Sequence, residues 1–140
     1  MKKRIFVDTN ILLDVLLERE GFYCDALKIW ANAEEGNVEA CIAAISLNNV
    51  HYVLRKLKSE TTAMIAVKIL LQIFKVVPVD AEILRRAVDF HDRDFEDDIQ
   101  LQCALKAKCS QLFTRNPNHY DHSAIAVVPP SAFIDRKSVV

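Results

Sequence analysis

Short apolar runs alternating with longer helix-forming segments constrain this chain more than any other feature. Arg4-Ile5-Phe6-Val7 opens it as a β-prone, almost wholly apolar run, and Val38–Ala44, Lys75–Val79, Gln111–Thr114 and Ala124–Val128 follow as further short β-rich runs. Between them the pattern predicts helices over Ile11–Leu17, about Cys24–Glu35 (ended by Gly36-Asn37), Ser46–Lys58, Thr61–Phe74, Ala81–His91 and Phe95–Lys108. Strands this apolar need cover on both sides. The expected fold is therefore α/β, a three-layer α/β/α sandwich with a central parallel sheet.

The 140 residues, 51% of them hydrophobic, predict one domain over 1–135 with a short tail, 136–140. No apolar stretch approaches the roughly 18 residues of a membrane span, and the basic start Met1–Arg4 soon meets Asp8. Neither a signal peptide nor a membrane partner is expected. The four cysteines, Cys24, Cys41, Cys103 and Cys109, show no CxxC pair and read as reduced, buried thiols of a cytoplasmic protein. Net charge is -1, so nucleic-acid binding would need a local site, a metal or a partner. With Gly21 and Gly36 as the only glycines, there is no Gly-rich phosphate loop.

Open parallel sheets bind ligands at the carboxyl ends of their strands. Asp8 follows the first run, as a second helix cap, a surface turn residue or a site acid, with Thr9 or Asn10 placed to cap the next helix; Ser46, Asn48 and Asn49 follow the second. Arg115 and Asn116 follow the fourth, and the acidic cluster from Asp92 to Asp98 opens the helix before it. First-turn acids commonly serve the helix dipole. Spacing then separates two of them: Asp98, Gln102 and Lys106 predict an exposed polar row, whereas Asp97 shares a face with Leu101 and Ala104 and is expected to point into the fold. Two carboxylates about 4 Å apart repel by about 4 kcal/mol at an effective dielectric near 20. A divalent ion would offset that, and magnesium often takes only one or two carboxylates, completing its shell with water and phosphate.

Phe6-Val7-Asp8-Thr9-Asn10-Ile11-Leu12-Leu13 resembles the opening of PIN domains, Asp94-Phe95-Glu96-Asp97-Asp98-Ile99-Gln100 their third motif and Leu112-Phe113-Thr114-Arg115-Asn116 their fourth. Val127-Val128-Pro129-Pro130 resembles their last strand and proline turn. The resemblance, to VapC-type toxin ribonucleases among others, implies a Mg2+- or Mn2+-dependent ribonuclease acting on RNA, often a homodimer paired with an antitoxin protein. It carries the first and third acids, the metal ligands, onto Asp8 and Asp97. The second acid, usually Glu, corresponds to Asn49; the fourth position is Asn116, a later acid is replaced by His119, and another by Ser110. Asparagine offers a neutral carbonyl oxygen and cannot act as a base. Two readings stay open: a ribonuclease using Asp8, Asp97, Asn49 and Asn116, with Thr114 orienting water or a ligand, or a silent PIN-fold module that binds RNA or a protein partner.

Arg115 either clamps a phosphate or makes a surface ion pair. Of the scattered histidines, His51, His91 and His122 read as surface or satisfied polar groups, and His119, beside the expected cleft, as a candidate phosphate contact. Trp30 and Tyr52 read as core or interface rather than base-stacking residues, and Ser46 as a helix cap rather than a nucleophile.

Overall fold

In the computed structural model, residues 2–91, 94–120 and 124–134 are described. The strands are β1 (Arg4–Val7), β2 (Glu39–Ala43), β3 (Lys75–Val77), β4 (Gln111–Phe113) and β5 (Ala126–Val128). The helices are α1 (Thr9–Leu16), α2 (Tyr23–Glu34), α3 (Ala44–Leu57), α4 (Glu60–Ile73), α5 (Ala81–Asp89) and α6 (Phe95–Lys106), with a 3-10 turn at Pro117–Tyr120. All pairings are parallel, in the order β3-β2-β1-β4-β5. The expected central parallel sheet is present.

Strand alternation builds the two cores. Ile5, Val7, Ala40, Ile42 and Phe113 face one side and pack with residues of α1 to α4. Phe6, Cys41, Ala43, Val77 and Leu112 face the other and pack with α5 and α6. Trp30 closes the first core edge-on against Phe74, with ring centroids 5.3 Å apart. Ile5 is fully buried in the central strand. Ile5→Val is expected to cost about 0.5–1.5 kcal/mol, read as a lower urea midpoint with an unchanged slope.

Several boundaries differ from the sequence expectation for physical reasons. The cap of α1 is Asp8 itself, whose side chain accepts from the Asn10 N–H, so Thr9 and Asn10 are already helical. α3 starts at Ala44, so Ser46 is not its cap: it is fully buried, its hydroxyl 2.6 Å from that of Thr9. Tyr52 is not core, being 50% exposed.

The row Asp98-Gln102-Lys106 is not an open face either. Asp98 and Gln102 are buried where α5 packs beside α6. Asp98 pairs with His91 just beyond the end of α5, and Lys106 reaches Asp80, the cap at its start, at 3.2 Å. The polar row is the seam between two helices.

Cys41, Cys103 and Cys109 are buried, whereas Cys24 is exposed, against expectation. Burial pushes the Cys103 thiol up to about 12. Among the described residues no helix is long and apolar enough to cross a membrane.

Candidate active site

The chain builds β1, β2 and β3 outward in one direction, then crosses back to place β4 and β5 on the other side of β1. That reversal makes a crevice at the carboxyl ends of β1 and β4, where open α/β sheets bind ligands. Asp8 and Thr114 are the residues that follow those two strands. The Asp8 N–H donates to the Phe113 carbonyl at 3.0 Å, extending the strand pairing one residue into the site.

Asp8 is only 4% exposed, yet among the described residues no lysine or arginine pairs with it. Its partners are neutral. Thr114 Oγ1 donates to Asp8 Oδ2 at 2.7 Å, Gln100 Nε2 to Oδ1 at 3.2 Å, and the Asn10 N–H to Oδ1 at 3.3 Å. Gln100, itself fully buried, accepts from the Thr9 N–H at 3.0 Å through Oε1. One glutamine thus ties α6 to the β1–α1 junction. The Thr114 hydroxyl, expected to orient water or a ligand, gives its single proton to Asp8 and accepts from the Asn116 N–H at 3.2 Å. It positions the carboxylate.

Asp97 is half-buried in the first turn of α6, where its N–H donates to the capping Asp94 side chain at 3.1 Å. Tyr120, at the end of the 3-10 turn, donates its hydroxyl to Asp97 Oδ1 at 3.2 Å. Burial first, and then the charges of Asp8 and Asp97, push the Tyr120 phenol well above its ordinary value of 10, so it stays a donor. Both carboxylates therefore act on one buried ring.

These oxygens suit a hard divalent cation. A carboxylate has about four acceptor positions. Asp8 Oδ1 takes two donors and Oδ2 only one, which leaves Oδ2 a lone pair for an ion. Among the described residues no three His, Cys, Asp or Glu side chains converge into a metal cage. The donor set fits an ion held by one or two carboxylates that draws its other ligands from water and phosphate, as magnesium does.

The remaining candidates divide. Asn49 lines a cavity of about 260 Å3 with Thr9, Asn10 and Glu96, next to Asp8 and Asp97 in the chain. Asn116 is exposed and adjoins the centre through its backbone N–H. The His119 side chain and His122 lie outside the described residues. Ser110 sits at the opposite end of the sheet, donating to the Arg4 carbonyl at 3.0 Å.

Arg115 is committed elsewhere. Its Nε lies 3.1 Å from Oδ2 of fully buried Asp14, off the direction of a hydrogen bond but within ion-pair range, and its guanidinium stacks 4.1 Å from the Phe22 ring centroid. This is a pair with a buried acid rather than a surface bridge. Burial raises the Asp14 carboxyl above its usual value, and Arg115 and Arg19 oppose that shift.

Sequence reasoning passed over Gln100 and Tyr120. Gln100 lies one turn after Asp97, on the side of α6 that carries buried Cys103 and Ala104, so a glutamine on a burying face was a readable signal. Tyr120 gave none, because its place depends on the 3-10 turn.

The sequence matches the family model described as PIN domain over residues 4–118. A toxin-antitoxin complex from Klebsiella pneumoniae is similar to the chain at 25% identity and a TM-score of 0.67, covering 90% of this chain and 97% of that one. Mycobacterium tuberculosis VapC20, a Sarcin-Ricin loop cleaving toxin, is similar at 18% identity and 0.64, covering 77% and 86%. DNA-bound VapBC from Salmonella typhimurium is similar at 14% and 0.70, covering 93% and 99%. No curated protein matches significantly. The matched stretch runs from β1 into the 3-10 turn, so it takes in Asp8, Asn49, Asp97 and Thr114 together, and the chain belongs to the PIN-domain family.

Proposed function

We propose that this chain is a divalent-metal-dependent endoribonuclease of the PIN class, with Asp8 and Asp97 holding Mg2+ or Mn2+. The observation that carries the reading is Asp8: a buried carboxylate at the strand switch, wrapped by neutral donors and compensated by no cation among the described residues. An isolated buried charge is costly, and a bound divalent ion offsets it. PIN-domain nucleases generally use such ions. When bound, the ion lowers the pKa of a water and stabilises negative charge on the phosphate. Thr114 and Gln100 fix the Asp8 carboxylate, Tyr120 fixes that of Asp97, and the amides of Asn49 and Asn116 supply neutral contacts to RNA or metal.

The toxin-antitoxin neighbours support a toxin with a small antitoxin partner, and a homodimer and a cytoplasmic location go with this reading. The test is cleavage of a panel of folded RNAs after dialysis against EDTA. No cleavage in EDTA and recovery in millimolar Mn2+ or Mg2+ is expected; undiminished cleavage in excess EDTA would contradict metal dependence. Asn49 and Asn116, in place of acids, favour a second reading, a non-cleaving PIN module that binds RNA or protein. Absence of cleavage with every metal would select it.

A further inference from the structure

The cavity beside the acidic centre is lined by more than the residues offered to a metal ion. It measures about 260 Å3 and lies where the start of α1, the middle of α3 and the first turn of α6 meet, walled by Thr9, Asn10, Asn49, Tyr52 and Glu96. Tyr52 lines the cavity and is 50% exposed, with the Lys56 ammonium over its ring 5.2 Å from the centroid. Asn49 and Tyr52 stand three residues apart on α3 and so share a face. Exposed aromatic rings stack any base, and a side-chain amide offers a donor and an acceptor to a base edge.

Charge decides which part of a nucleic acid enters. Glu96 on the wall repels a phosphate but accepts from a base amino group. An acid at position 49 would add a second negative charge to the cavity that Glu96 lines, whereas Asn49 adds none. The volume falls just below the roughly 300–1,000 Å3 of pockets that enclose drug-sized ligands, which suits one base. Asparagine's best-matched edge is that of adenine, N6 and N7.

We propose that this cavity is a nucleobase subsite, in which an unpaired purine beside the scissile phosphate stacks on Tyr52 and is read by Asn49 and Asn10. The inference rests on the RNA reading above. It assigns the neutral residue at position 49 to substrate choice.

The test uses short single-stranded RNAs carrying 8-vinyladenine, a fluorescent adenine that keeps N6 and N7, at each position in turn, with fluorescence titration and cleavage in Mn2+ followed in parallel. Quenching at one position is expected. Tyr52→Ala should abolish the quenching and weaken binding roughly tenfold, and Tyr52→Phe should restore both. A pyrimidine at that position should weaken binding to wild type but not to Asn49→Ala. Cleavage without Tyr52-dependent quenching overturns the subsite and leaves the nuclease reading standing. Tyr52-dependent quenching without cleavage supports the subsite on a binding module and removes the nuclease. Neither signal overturns both.

Discussion

Asp8→Asn is expected to keep the fold while lowering RNA cleavage by roughly 10²–10³-fold, the scale of losing one transition-state stabilising group. The two effects separate because asparagine can satisfy every hydrogen bond that Asp8 makes. Its carbonyl can accept from the Gln100 amide and the Asn10 N–H, as Oδ1 does. Its NH2 can donate to Thr114 Oγ1, whose proton then rotates away from its present acceptor. Asparagine also caps helices about as well as aspartate. Only the charge is removed. Thermal and urea unfolding should change by less than about 1 kcal/mol, since the lost burial of an unpaired anion offsets any looser packing. A large loss of stability alongside the loss of cleavage would mean that Asp8 is a structural residue.

Arg115→Ala should destabilise the protein by about 2–3 kcal/mol at pH 8 in urea unfolding. Removing one partner of a fully buried pair costs about 3–5 kcal/mol, and this pair falls lower because Arg115 is partly exposed and Arg19 still lies 3.4 Å from Asp14. The truncation also uncovers Phe22. The pH dependence has a definite sign. The folded Asp14 carboxyl is raised above 3.8, so its protonated form favours folding. That contribution is fully present below the unfolded value and is lost as pH rises through the raised folded value. In Arg115→Ala the shift is larger still. The penalty should therefore be greatest at pH 8 and shrink toward pH 4; a pH-independent penalty would mean that Phe22 stacking, not the ion pair, is what Arg115 supplies. RNA cleavage should fall far less than in Asp8→Asn.

Much of the fold was legible because its strands are buried on both faces. Runs such as Ile5-Phe6-Val7 and Cys41-Ile42-Ala43 contain nothing that tolerates water, and their length separates them from the helices. The order β3-β2-β1-β4-β5, and with it the switch point, is absent from any local pattern because it depends on where the chain crosses back. Side-chain positions were less legible wherever helix packs on helix. Asp98 and Gln102 have the spacing of a solvated row, but α5 covers them, and His91 and Lys106 make that seam polar. Tyr52 shows the converse, an aromatic at core spacing that stays half exposed. In the candidate site, strand ends pointed to Asp8, Asn49, Arg115 and Asn116, and Thr114 entered only through the family resemblance. The hydrogen bonds that Gln100 and Thr114 donate to Asp8, and Tyr120 to Asp97, cross 92, 106 and 23 residues of sequence, so they exist only in the fold.

The most direct measurement is calorimetric titration of Mn2+ into wild type and Asp8→Asn, in the absence of RNA. Saturable binding near one ion per chain in wild type, lost in Asp8→Asn while the variant still unfolds cooperatively, is the expected result. Equal binding by both proteins, or none at millimolar Mn2+ by wild type, would contradict a metal held at Asp8.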